Sequence, residues 1–322
     1  MMRAAIVNVL GQVPVAGNVD EPVAREGETL IEVSVAGIKQ LDRAMVAGTH
    51  YSSPKALPIV PGTDGVGYTP DGQRVYFASF RQPHGALAER TVASWTVPVP
   101  AGVDDATAAA LINPAFAAWL PLHWRAELQA GETVLIIGAT GTSGKLAVAA
   151  ARQAGAGRIV AAGRRQSVLD TLDVDATVDL SLEGDTLTQA FAAAAGPNGY
   201  QVIVDYIWGK ATEALLATLN NQDLSSYAGG RGIRLVNVGS MAGPDIRLPA
   251  AVLRSNQLQI MGSGTGNFPP AAEMQRYASE ILALAATGQI SVETQEHGLS
   301  EIAEVWDLNK KSDVRSVIRI AG

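Results

Sequence analysis

The sequence predicts a doubly wound α/β domain built on a six-stranded parallel sheet, joined in one chain to a strand-rich domain. Three observations carry this prediction. From Gly131 onward, apolar strand-like runs alternate with helix-like segments. A glycine-rich turn, "GATGTSG" at 138–144, stands between the first of those strands and the first helix. Before about residue 104, short apolar runs are separated by Gly and Pro.

The elements follow in order. The opening "MMRAAIVNVL" reads as a first strand, and "TLIEVSVAG" (29–37), "QRVYFAS" (73–79) and "ALAERTVA" (86–93) read as further strands. Between them, "YSSPKALPIVPGTDGVG" (51–67) is a Pro/Gly loop entering a strand. "DDATAAALINPAFAAWLPLHW" (104–124) has an acidic start and Ala-rich turns, as a helix does. The alternating half then supplies strands at 133–139, 158–163, 176–180, 200–207, 233–240 and 258–264. Helices are expected between them at 143–155, 167–173, 185–196 and 210–220. Such crossovers imply a parallel sheet covered on both faces. The tail adds helices near 270–287 and 299–310 and a strand at 314–320 that does not continue the alternation.

Composition narrows the function. The chain of 322 residues can bury a sizeable core, and its 47% hydrophobic content opposes disorder. A net charge of -7 opposes binding to a phosphate backbone, so no nucleic-acid partner is expected. The absence of cysteine excludes disulfides, thiolate nucleophiles and cysteine-based zinc sites. His50, His84, His123 and His297 are too scattered to suggest a metal site, so none is expected. No run of eighteen apolar residues and no leader pattern is present, and the expectation is a cytoplasmic protein with no membrane partner.

The glycine turn carries the chemistry. Gly138, Gly141 and Gly144 follow the strand "TVLII" and open a helix. A chain that bends sharply from strand to helix, without side chains where its backbone meets a pyrophosphate, needs glycine at such positions. The reading is a dinucleotide site of the Rossmann kind, against a plain Gly-rich turn. A Walker loop is excluded, because Leu146 stands where Ser or Thr would ligate magnesium. "YSSPK" at 51–55 imitates a Tyr-x-x-x-Lys pair, but Pro54 opposes the helical turn that such a pair requires.

About twenty residues past the turn, an NAD site carries an acid on the ribose 2′-OH. Here the strand ends in Gly163-Arg164-Arg165. Two guanidiniums and no carboxylate favour a 2′-phosphate, hence NADPH. The alternative is a solvated basic turn.

In these and other stretches the sequence resembles the zinc-free medium-chain dehydrogenase/reductases of the quinone oxidoreductase (zeta-crystallin-like) family. The resemblance covers essentially the whole chain. It rests on "AGIKQLD" (36–42), "LPIVPGTDGVG" (57–67), "GQRVYF" (72–77), "GALAERTVA" (85–93) and "AAALINPAFAAW" (108–119). It continues through "VLIIGATGTSG" (134–144), "VIVDYIWG" (202–209), "VNVGSMAG" (236–243) and "LQIMGSGTG" (258–266). The positions that match the metal ligands of zinc-dependent relatives are Lys39, Thr63 and Asn113, none of which keeps a ligand. The resemblance implies a GroES-like catalytic domain of 1–112 and 265–322, a nucleotide-binding domain of 113–264, and a homodimer paired through "LQIMG".

It also implies contacts. Thr140, Gly141, Thr142 and Ser143 would line the pyrophosphate, and Gly163, Arg164 and Arg165 the 2′-phosphate. Val238, Gly239 and Ser240 would line the track to the nicotinamide, and Ser263, Gly264 and Thr265 would approach the carboxamide. Asn113 would lie near the nicotinamide, and Asp205 on the cofactor side of its strand or fixing a loop. The chain departs from the family at Lys39 (commonly Asn), Ala44 (in some members Tyr) and Phe116 (often Thr).

The implied activity is metal-independent hydride transfer from NADPH to a quinone or an α,β-unsaturated carbonyl. Lys39 is a candidate donor to the developing oxyanion, and Tyr51 a candidate proton donor or wall of the substrate site. Two alternatives stay open: reduction of an enoyl thioester or other activated double bond, and an NADPH-binding redox sensor without turnover.

Overall fold

The computed structural model describes residues 1–219, 231–308 and 313–320. The chain forms one unit from Met1–Asn113 and Pro270–Gly322 and a second from Pro114–Pro269. The first segment contains β1 (Met2–Ile6), β2 (Val15–Val19), β3 (Thr29–Gly37), α1 (Gln40–Val46), β4 (Asp64–Tyr68), β5 (Arg74–Ala78), β6 (Arg90–Ala93) and β7 (Trp95–Pro98). Helix α2 (Asp105–Trp119) follows and runs into a π-helical turn, Leu120–Arg125. The middle segment holds β8 (Thr133–Ile137), α3 (Thr142–Gln153), β9 (Arg158–Gly163), α4 (Gln166–Leu169), β10 (Ala176–Asp179), α5 (Gly184–Ala195) and β11 (Val202–Asp205). It ends with α6 (Lys210–Thr218), β12 (Ile233–Asn237), α7 (Ala250–Ser255) and β13 (Leu258–Gly262). The last segment contributes α8 (Ala271–Ala286), β14 (Thr294–Gly298), α9 (Ile302–Val305) and β15 (Arg315–Arg319).

In the first unit, a sheet runs in the order β14-β15-β3-β4-β5-β7, with β6 on the outer half of β3. The final strand, detached in the sequence pattern, finds its partner here: β15 lies antiparallel to β3 and parallel to β14. The core gathers Ile31, Val33, Phe77, Leu87, Ile302, Trp306 and Ile318 from both segments. Polar ties reinforce it. Arg43 donates to the carbonyls of Trp306 (2.8 Å) and Leu308 (3.0 Å), fixing the tail against α1. Asp105, in the first turn of α2, accepts from Ser34 (2.5 Å) and Arg74 (2.7 Å).

The second unit contains the parallel sheet, ordered β10-β9-β8-β11-β12-β13. Every pairing in it is parallel. All five residues of β8 and all four of β11 are buried, which explains why these strands read as largely apolar runs. With β9 on one side of β8 and β11 on the other, the chain reverses its winding at β8. The carboxyl end of that strand is therefore the topological switch point. Arg234 on β12, itself buried, donates to the carbonyl of Ala126 (2.8 Å) and pairs with Glu132 ahead of β8. Among the described residues, no helix is long and apolar enough to cross a membrane.

Several short elements were not legible as such. β14, "TQEHG", has no apolar alternation, and of the expected helix at 299–310 the part up to 308 is a 3-10 turn followed by the short α9, while 309 and 310 lie outside the described residues. Helix α1 escapes notice because Asp42 and Arg43, normally surface residues, are buried.

Candidate functional site

Backbone demands at the switch point explain the glycines. Gly138, just past β8, has φ 95°, a left-handed conformation that side chains oppose. Gly144 lies against the turn itself: a Cβ there would come within 2.3 Å of the Gly138 carbonyl oxygen and 2.6 Å of the Ala139 Cα. Gly141 differs from both. Its φ is -81°, and a Cβ would meet nothing nearer than 3.6 Å. The fold therefore does not require glycine at 141. Gly141 is the N-cap of α3, and no side chain caps that end. Free N–H groups, a positive dipole end and an unobstructed backbone fit a pyrophosphate.

The neighbouring strand ends are stitched to this turn. The N–H groups of Gly138 and Ala139 both donate to the Ala162 carbonyl on β9, at 2.9 Å each. On the other side, Tyr206 follows β11 and packs under Gly138, whose Cβ would lie 3.2 Å from the Tyr206 Cβ. Its phenol donates to the carbonyl of Ala117 (2.8 Å) and, at 3.4 Å, to that of Ser143. Burial pushes that phenol up from its ordinary pKa.

Asp205 ends β11 and is fully buried. Its carboxylate accepts from the N–H groups of Ile207 and Trp208 (2.9 Å each) and from the Thr212 hydroxyl (2.5 Å). These bonds hold a turn in which Trp208 has φ 58°, left-handed for a bulky residue. Of its two sequence expectations, loop fixing accounts for every one of these contacts. Desolvation pushes the carboxyl up. The N–H groups of Val238 (2.7 Å) and Gly239 (3.3 Å) donate to the Asp205 carbonyl, and Ser263 N–H to that of Asn237 (2.8 Å). Val238 and Gly239 are half-buried and Ser240 exposed, beyond β12. Ser263, Gly264 and Thr265 lie beyond β13, where Thr265 starts a 3-10 turn.

At the end of β9, Gly163 is packed against Thr140, whose Cγ2 would be 2.4 Å from a Cβ at 163. Arg165 donates to the Thr140 carbonyl in the glycine turn. Arg164 is exposed and has no partner among the described residues. Asp179 of β10 is in register with Gly163, a neighbour that the sequence pattern did not flag. Its carboxylate accepts from the Ser181 N–H (2.8 Å) and hydroxyl (2.7 Å), which holds its pKa below the usual value.

The first unit holds the remaining expected residues. Lys39 is 1% exposed. Its ammonium lies 2.6 Å from an Asp64 carboxylate oxygen and 3.8 Å from Asp42, and donates to the carbonyls of Gly37 (2.9 Å) and Asp64 (3.2 Å). An oxyanion donor must have hydrogens to spare, and these contacts occupy the ammonium within its own unit. Tyr51 is 72% exposed, beside the His50 ring at 4.0 Å. Partial burial pushes the His50 imidazole down from its ordinary pKa, and its Nδ1 accepts from the Ser52 N–H at 3.0 Å. Asn113 is half-buried in α2, directly before Pro114. Thr63 donates to Asp42 at 3.4 Å. Among the described residues, no group of three His, Cys, Asp or Glu could hold a metal ion.

No family model matches the chain. It is 25% identical to a probable NADPH-dependent quinone reductase of Emericella nidulans, over 98% of this chain and 99% of that one. It is 26% identical to the quinone oxidoreductase of Pongo abelii, over 89% and 86%. A mycobacterial quinone oxidoreductase superposes with a TM-score of 0.83 at 21% identity, covering 99% of this chain and 100% of that one. Two end-to-end likenesses join the switch-point glycine turn and the separate strand-rich sheet. Along nearly its whole length the chain is similar to quinone oxidoreductase-like medium-chain dehydrogenase/reductases.

Proposed function

We propose that this oxidoreductase uses NADPH to deliver hydride to a quinone or an α,β-unsaturated carbonyl, without a catalytic metal. The observation that carries the reading is the end of β9. It presents Arg164 and Arg165, and no carboxylate, beside an uncapped glycine turn at the switch point. The curated relatives named as quinone reductases support the same class of acceptor.

Bound NADPH would supply the hydride. The chain's own residues would hold it. Thr140, Gly141, Thr142 and Ser143 receive the pyrophosphate, Gly163 gives the adenosine end close access to the turn, and Arg164 and Arg165 offset the 2′-phosphate charge. Val238, Gly239, Ser240, Ser263, Gly264, Thr265 and Asn113 complete the track toward the nicotinamide. Asp205 supports that track by fixing the turn that precedes α6. Lys39, Thr63 and Asn113 offer no thiolate, imidazole or carboxylate, so a Lewis-acid metal has no donor set at those positions. Acceptors that take hydride without such help suit the site. We assign Lys39 to the frame of the first unit and retain Tyr51 as the proton donor.

In the same reading the protein works in the cytoplasm as a homodimer. The edge strand β13 with its exposed Ile260, and the exposed Leu253 nearby, support the pairing. Light scattering that gives the mass of a single chain would remove that point. The function itself is tested with a panel of acceptors at fixed NADPH and excess chelator. Para-quinones and enones should be reduced faster than enoyl thioesters. Preference for the thioesters, or no turnover with any acceptor, would replace this reading by one of its rivals.

A further inference from the structure

The two arginines at the end of β9 are not equivalent. Arg165, also exposed, is tied to the protein: its guanidinium donates to the Thr140 carbonyl, and its own carbonyl accepts the N–H groups of Val168 and Leu169, at 3.0 Å each. Arg164 is exposed, with no partner among the described residues. The carboxylate in register with Gly163, that of Asp179, is held by Ser181. Thr140 is itself pressed against Gly163. The link from Arg165 to Thr140 therefore joins the strand end that would meet the adenosine to the turn that would meet the pyrophosphate. A guanidinium already bonded to a carbonyl has fewer N–H groups to offer a phosphate, whereas an unpartnered one can present a full fork.

We propose a division of labour. Arg164 is the specificity-determining contact for the 2′-phosphate. Arg165 is a positioning residue that braces the glycine turn and supports dinucleotide binding with or without that phosphate. This inference rests on the NADPH reading above, but it goes further by separating two residues which that reading treats alike.

The test is equilibrium binding of NADPH and NADH, followed by nicotinamide fluorescence, together with calorimetry of adenosine 2′,5′-bisphosphate and ADP. The proteins are the wild type, Arg164→Ala, Arg165→Ala and Arg165→Lys, each checked for an unchanged melting temperature. Arg164→Ala should weaken NADPH and the bisphosphate by about tenfold or more, the scale of one charge-assisted contact. It should leave NADH and ADP within about twofold of the wild type. Arg165→Ala should weaken NADPH and NADH by the same factor and so leave their ratio unchanged. Arg165→Lys, which can still donate to the Thr140 carbonyl, should recover much of that loss. The proposal is overturned if Arg165→Ala loses NADPH selectively, or if Arg164→Ala leaves the NADPH/NADH ratio intact. A wild type that binds NADH as tightly as NADPH overturns the parent reading instead, whatever the variants do. If Arg165→Ala proves unstable, the ratio in Arg165→Lys decides: a ratio like that of the wild type supports bracing, and a collapsed ratio contradicts it.

Discussion

The Lys39 ammonium and the Asp64 carboxylate meet at 2.6 Å with both side chains almost wholly buried, and Asp42 stands 3.8 Å from the same nitrogen. Removing one partner of a buried pair leaves an uncompensated charge, at a cost of about 3–5 kcal/mol. Lys39→Met should therefore destabilise strongly. Burial pushes the Asp64 carboxyl up and Lys39 draws it down, with Asp42 and Tyr76 also facing it. In the variant the carboxyl rises further. A group whose folded pKa lies above its unfolded value favours folding at low pH and loses that contribution as pH rises through the folded pKa. The deficit against wild type should thus be smaller at about pH 5 than at about pH 8. Thermal unfolding at both values measures it, and a deficit independent of pH would show that Asp64 is not the group left exposed to the loss.

Gly141 and Gly144 separate folding from binding within one motif. A Cβ at 144 collides with backbone at 2.3 Å, so Gly144→Ala should cost about 1–3 kcal/mol and cofactor binding as well. A Cβ at 141 meets nothing nearer than 3.6 Å, so Gly141→Ala should change stability by no more than about 0.5 kcal/mol. It should still weaken NADPH by roughly tenfold, because the methyl enters the space needed for the pyrophosphate. Equal losses of stability in the two variants would contradict the assignment.

Asp205 satisfies two backbone N–H groups and one hydroxyl. Asp205→Ala leaves those donors without their acceptor, at a cost of about 2–4 kcal/mol, and should loosen the turn at Trp208. Asp205→Asn retains one acceptor oxygen and should lose less. Denaturant unfolding distinguishes them, and an alanine variant as stable as the wild type would show that the turn holds itself.

Tyr206 and Tyr51 make opposite predictions. The Tyr206 phenol is buried and donates to backbone carbonyls. Tyr206→Phe should cost about 1 kcal/mol and leave kcat unchanged. Tyr51 is exposed in the first unit, and Tyr51→Phe should lower kcat by about tenfold or more with the KM for NADPH unchanged. Steady-state kinetics at saturating acceptor reads both, and an unaffected Tyr51→Phe would remove that residue from the reaction.

The parallel sheet was legible because its strands are largely apolar runs separated by helices with a buried face, a pattern that local residues carry by themselves. Gly138, Gly141 and Gly144 were legible as a group, but their separate duties were not, since those depend on the Gly138 carbonyl and on Tyr206, which is distant in sequence. The burial of Lys39 was illegible for a similar reason. Asp42 is three residues away, whereas Asp64 is reached only when β4 pairs with β3. β14 lacked an apolar signal altogether. Arg165 and Arg164 look interchangeable in "AGRR", and contacts such as that of Arg165 with the Thr140 carbonyl tell them apart.

The proposed activity is that of an NADPH-dependent, metal-independent reductase. Its most direct test is the steady-state oxidation of NADPH and of NADH with a para-quinone acceptor in excess chelator. NADPH should be turned over, NADH much more slowly at equal concentration, and the chelator should have no effect. Equal rates with both cofactors, or a rate abolished by the chelator, would contradict it.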